Sequence, residues 1–159
     1  MLKYLWLTAV VLVLDQASKV LMVSWLSLYE TVAIIPYFNL TMAHNTGAAF
    51  SFLADAGGWQ KWFFIILASI ISLILVIWLK KLSPQNKLEA LSISMILGGA
   101  IGNVVDRFVY GYVIDFLDVY YGAYHWPAFN VADSAICIGA ILLVVDSFIS
   151  KSESPEVKA

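Results

Sequence analysis

Four apolar runs, at roughly Tyr4–Leu28, Trp62–Leu79, Leu88–Val105 and Val131–Ile149, set the pattern of this chain. About 20 consecutive apolar residues are enough for an α-helix to cross the hydrocarbon core of a bilayer. The pattern therefore predicts four transmembrane helices. A short link joins the second run to the third, and two longer loops, 29–61 and 106–130, lie between the other pairs. The polar stretch 151–159 reads as a disordered tail. Asp15 and Lys19 interrupt the first run, and no clean small-x-small cleavage site follows it, so it reads as a retained helix rather than a leader.

The first long loop carries a pattern of its own. Thr31 to Met42 is rich in β-branched and aromatic residues, which predicts short strands broken near Pro36. Ala48 to Leu53 reads as a short interfacial helix, ended by Asp55-Ala56-Gly57-Gly58.

Composition agrees with a membrane protein. The chain is 62% hydrophobic and 13% charged, against roughly 25% charged residues in soluble domains. One integral-membrane domain over 1–159 is expected. A net charge of -2 without a basic patch argues against a nucleic-acid partner. The single Cys137 reads as a small buried apolar residue. His44 and His125 stand apart, without metal-ligand spacing, and read as surface residues; no phosphate loop is present. Lys3, Lys80, Lys81, Lys87, Lys151 and Lys158 cluster at the termini and the second-to-third link. By the positive-inside rule both termini are cytoplasmic, and the two long loops face outward.

Charge at membrane depth is costly and marks candidate function. Asp115 lies in the outer loop, and Asp133 begins the fourth helix on the same side. Two nearby carboxylates cannot both ionise freely. One then holds a proton while the other acts as a base, a division of labour that can activate water against a peptide bond. Which is the acid stays open, since the titration belongs to the pair. Asn130 reads as an N-cap that places Asp133 at the third helical position, where a carboxylate is favoured for structural reasons alone. Asp15 and Lys19, four apart, read as an ion pair on one helix face. Gly98 and Gly102 form a small face for close helix approach, and Asn103, Asp106 and Arg107 form a polar end to the third helix. A small ion-coupled transporter and a non-catalytic membrane subunit are the competing readings. Carboxylates gathered at one face disfavour the first, and costly buried charge disfavours the second.

Five blocks carry a family resemblance: Asp15-Gln16-Ala17-Ser18-Lys19, Asn45-Thr46-Gly47-Ala48-Ala49-Phe50, Gly102-Asn103-Val104-Val105-Asp106-Arg107, Val113-Ile114-Asp115-Phe116 and Phe129-Asn130-Val131-Ala132-Asp133-Ser134. In this order they resemble the lipoprotein signal peptidases (signal peptidase II), bacterial aspartic peptidases of the inner membrane. The resemblance implies four transmembrane helices with a small extracytoplasmic β-cradle and an interfacial helix. It implies catalytic roles for Asp115 and Asp133, and substrate-binding roles for Asp15, Lys19, Asn45, Gly47, Asn103, Arg107 and Asn130. It implies a diacylglyceryl-modified prolipoprotein as substrate, cut just before the lipidated Cys, and no metal or organic cofactor. Membrane lipids are the expected surroundings, and the chain is expected to work as a monomer.

Overall fold

The computed structural model describes residues 1–47 and 57–152. The expected interfacial helix at Ala48–Leu53 lies outside the described residues. Four long helices form: α1 Leu5–Trp25, α2 Gln60–Lys81, α3 Lys87–Val109 and α4 Val131–Ser152. All four are long and apolar enough to cross a membrane. A 3-10 turn over Leu2–Tyr4 leads into α1.

The helix limits differ from the expected spans: α1 is shorter, and the other three take in polar residues at their ends. α1 ends at Trp25, short of Leu28. α2 starts at Gln60 and runs on through Lys80 and Lys81, whose charges suit the negative end of its dipole. α3 continues to Val109, so Asp106 and Arg107 form the polar helix end expected of them and the outer loop starts after it rather than at 106. Asp106 does not end the helix, because it is buried and ion-paired. α4 continues through Ser152, two residues into the stretch expected to be a disordered tail, and the rest of that stretch, 153–159, lies outside the described residues.

α3 is the central helix. Of its most apolar 18-residue window 56% is buried, against 28%, 11% and 17% for α1, α2 and α4. Those three pack around it and leave their outer faces to the apolar surroundings, where Val13, Ile66 and Ile141 are exposed. Small residues allow the close contacts. A Cβ on Gly98 would lie 2.7 Å from the Cβ of Val11 on α1, and one on Gly102 would lie 2.5 Å from the Asp15 carboxylate. A Cβ on Gly99 would collide with the backbone carbonyl of Ala132 on α4. A carbonyl held in a helix cannot step aside as a side chain can. Gly99→Ala is therefore expected to lower stability by about 1–3 kcal/mol. Thermal unfolding in detergent checks this; an unchanged midpoint would contradict the packing described.

At one end of the bundle sits an antiparallel sheet of four strands in the order β1 Thr31–Ile35, β2 Phe38–Asn45, β3 Val113–Tyr121, β4 Tyr124–His125. The expected break near Pro36 is the β1–β2 turn, where Tyr37 takes φ 71°. β2 bulges between Leu40 and Ala43. Met42, Ile114 and Phe116 pack on Met22 and Leu26 at the end of α1, which seats the sheet on the bundle.

One stitch decides the site. Just before α4, the chain bonds to β3: the Leu117 N–H donates to the Phe129 carbonyl at 2.8 Å, and the Phe129 N–H returns the bond at 3.1 Å. The start of α4 is thereby held beside the middle of β3.

Candidate active site

Asp115 on β3 and Asp133 in the first turn of α4 line one cavity of about 580 Å³. Asn45, Asn103 and Arg107 line it too. The expected pair is thus brought together from residues 18 positions apart in sequence, by the Phe129 stitch and the cap that follows it.

Asn130 is the hinge between the two carboxylates. Its Oδ1 accepts the Asp133 backbone N–H at 2.9 Å, the N-cap the sequence predicts. Its Nδ2 donates to Asp115 Oδ1 at 2.7 Å. Since the oxygen is committed to the cap, the amide must face its N–H groups toward Asp115. Asn45 Nδ2 donates to the other oxygen, Asp115 Oδ2, at 3.0 Å. Asn103 performs the matching task for Asp133, donating from Nδ2 to Oδ1 at 2.7 Å.

The orientation of Asn103 is itself imposed. Its Oδ1 accepts from Lys19 Nζ at 3.2 Å and from Asn130 Nδ2 at 3.3 Å. Lys19 is 1% exposed. Its ammonium lies 2.8 Å from Asp15 Oδ2 and 2.7 Å from Asp106 Oδ2. With Asn103 these make three acceptors for three N–H groups. Asp15 reaches α4, accepting the Ala132 N–H at 2.9 Å, and Asp106 accepts the Ile114 N–H of β3 at 3.2 Å. Gln16 joins the cluster, donating to Asp106 at 2.8 Å. The Asp15–Lys19 pair expected from spacing is present, and with Asp106 it ties α1, α3, α4 and β3 together.

Arg107 closes the remaining side. It donates to the Gly47 carbonyl at 2.7 Å, and its guanidinium stacks over Phe64 of α2 at 5.0 Å. Its buried Nε has no partner among the described residues. Gly47 also donates its N–H to Asn45 Oδ1 at 3.0 Å, which turns the Asn45 amide toward Asp115 as the cap turns Asn130.

Asp115 is 2% exposed. Burial, and next the neighbouring Asp133 charge, push its pKa up to about 7. The hydrogen bonds from Asn45 and Asn130, and the charge of Lys19, pull the other way and are outweighed.

Of the nine expected site residues, Asn45, Asn103, Arg107, Asp115 and Asp133 line this cavity, and Asp15, Lys19, Gly47 and Asn130 join them through the hydrogen bonds described. Two other expectations are corrected. Cys137 is exposed and lines the cavity, because α4 packs through Ala132, Ala135 and Gly139, and Cys137 falls off that stripe. His44 also lines the cavity, stacked on Tyr112 at 3.8 Å, and burial lowers its pKa. His125 is exposed but not isolated, since it pairs with Asp118. The strand β3 was legible in the run Val113-Ile114-Asp115-Phe116-Leu117-Asp118-Val119-Tyr120-Tyr121 by its β-branched and aromatic content, a signal the family block at Asp115 overshadowed.

Residues 7–149 match the family model for signal peptidase (SPase) II. The chain is 53% identical over 147 residues to the lipoprotein signal peptidase of Alteromonas mediterranea, covering 92% of this chain and 81% of that protein. It is 53% identical over 152 residues to that of Photorhabdus laumondii, covering 96% and 91%. Two solved structures of bacterial membrane enzymes obtained in meso are similar. One, at 2.3 Å resolution, has a TM-score of 0.86 at 30% identity and covers 100% of this chain and 94% of its own. The other, at 1.9 Å, has a TM-score of 0.79 at 32% identity, covering 91% and 92%.

Proposed function

The chain belongs to the signal peptidase II family of membrane aspartic peptidases and removes signal peptides from prolipoproteins; from that premise we propose that Asp115 and Asp133 perform the cleavage, just before a diacylglyceryl-modified Cys. The observation that carries this reading is the shared cavity in which both carboxylates are oriented by asparagine amides.

Asp115, buried beside the charge of Asp133, is the proton holder, and Asp133, in the first turn of α4 where the helix dipole favours a carboxylate, is the base. Water sits between them against the carbonyl carbon of the residue before the Cys. Asp133 takes a proton as the water oxygen attacks, while Asp115 donates to the carbonyl oxygen. The tetrahedral intermediate collapses as the Cys nitrogen receives the proton held by Asp133. The C–N bond breaks, and the oxygen that Asp115 protonated returns its proton. The signal peptide leaves with a new carboxyl group and the mature chain with a new amine. Such paired acid and base action is worth roughly 10²–10⁴-fold for each group. Arg107, with donors on the cavity wall, holds the substrate backbone, and Asn45, Asn103 and Asn130 keep the carboxylates aimed.

The substrate is an apolar helix that reaches the site sideways through the bilayer. By the distribution of lysines the site lies at the outer face of the bacterial inner membrane with both termini cytoplasmic, and a single chain supplies both carboxylates. The acyl chains stay among lipids and set the depth of the Cys at the level of the cavity. Diacylation is expected to raise kcat/KM by at least about tenfold, a gain of roughly 1.4 kcal/mol in transition-state binding. Acylated and unmodified peptides of one sequence, compared in a single detergent assay, check this. Equal rates would contradict the depth argument.

A further inference from the structure

We propose that a second groove, beside the catalytic cavity, binds the first residues of the mature chain, with His125 as its polar contact and Asp118 as the residue that positions His125. The inference rests on the cleavage reading above and adds a substrate subsite to it.

The groove is a cavity of about 590 Å³. Thr31, Thr41, Asp118 and His125 form its polar walls. Ala43, Trp126, Pro127 and Ala128 line both this groove and the catalytic cavity, so the two are continuous. The groove also continues from the catalytic carboxylate along the sheet. β3 follows α3, and Asp118 stands three residues beyond Asp115 along it. At about 3.3 Å per residue that is roughly 10 Å along the strand from the catalytic carboxylate. The chain before the scissile bond belongs to the membrane, whereas the chain after the Cys has to leave it. A groove lined by the strands and by Trp126, Pro127 and Ala128, with no lining residue from the four helices, fits the second part.

The polar groups in the groove are fixed. Asp118 is buried, and Asn39 Nδ2 donates to it at 2.8 Å. His125 Nδ1 lies 2.8 and 3.0 Å from the two Asp118 oxygens, and its ring stacks on Tyr120 at 5.2 Å. With Nδ1 donating to the carboxylate, Nε2 is the ring atom left for a ligand. The His125 side chain is 52% exposed, so that atom is within reach of one. On the β1–β2 side the Thr31 and Thr41 hydroxyls bond each other at 2.8 Å and Thr41 also donates to the Glu30 carbonyl at 3.3 Å, so both hydroxyl oxygens keep room to accept from a ligand. An extended peptide with hydroxyl or amide side chains matches this lining. The cleavage chemistry makes no use of Asp118 or His125.

Two diacylated peptides of one signal sequence provide the test. One ends at the Cys as an amide, and the other continues for about four Ser, Thr or Asn residues. Wild type is expected to cleave the longer peptide with a kcat/KM about tenfold higher, the gain lying in KM. His125→Asn keeps an N–H donor for Asp118 and lacks Nε2. It is expected to reduce the gain to about twofold or less and to leave the short peptide's constants unchanged. Thr41→Val alters the β1–β2 side with little change of shape and is expected to act in the same direction, so a folding failure of either variant leaves the other to decide. Equal cleavage of both peptides by wild type, or a full gain kept in both variants, would overturn the subsite. If wild type cut neither peptide, the cleavage reading would fall, and the groove with it.

Discussion

Lys19→Met is expected to destabilise this protein more than any other single change at the site, by about 3–5 kcal/mol. Methionine matches the length of the lysine stem and fills its space, so the loss is electrostatic rather than a cavity. The ammonium contacts Asp15, Asp106 and Asn103 together, in a setting 1% exposed. Removing it leaves two buried carboxylates facing each other without a cation. Activity should fall as well, because Asn103 loses a donor that turns its amide toward Asp133. That loss should appear in kcat, since the aim of a carboxylate matters most at the transition state. Unfolding in detergent measures the first effect. Adding Asp106→Asn to Lys19→Met should cost much less than the sum of the single changes, because the orphaned charge is then removed. Strict additivity would contradict the network.

Asp115→Asn is expected to reduce kcat by roughly 10²–10⁴-fold while the protein stays folded. The amide keeps the shape of the carboxyl group but cannot give up and recover a proton. Wild type should also carry a pH signature. With burial and the Asp133 charge pushing its pKa up to about 7, Asp115 is expected to keep its proton on the acid side of that value and lose it on the alkaline side. The pair is then doubly ionised and has no acid, so kcat/KM should fall roughly tenfold per pH unit on the alkaline side. The apparent constant belongs to the pair. In Asp115→Asn the residual rate should lack this alkaline limb. A limb that survived the substitution would assign it to another group.

The sequence makes the local part of this site legible. The i, i+4 spacing places Asp15 beside Lys19, and the Asn130-to-Asp133 spacing predicts the cap that is present. The four helices follow from apolar runs, and the strands on either side of Pro36 from β-branched residues. What could not be read depends on contacts between distant segments. Asp106 joins Lys19 only because Gly98 and Gly102 let α1 lie close to α3. Asp133 reaches Asp115 only because Phe129 is stitched to β3. Cys137 and His44 turn toward the cavity through the rotation of α4 and the register of β2 against β3, and neither is set by neighbours in sequence. The Asp118–His125 pair needs the β3–β4 hairpin turn, with Gly122 at φ 61°, to bring its members together.

The central claim is that two carboxylates in one cavity cut the bond before a lipidated Cys. Its most direct test is mass analysis of the products from a diacylated prolipoprotein treated with purified wild type, beside Asp133→Asn and Asp115→Asn. The account predicts a mature fragment beginning at the lipidated Cys from wild type, and essentially no product from either folded variant. Cleavage at another bond, or a mature fragment formed at the wild-type rate by either variant, would contradict it.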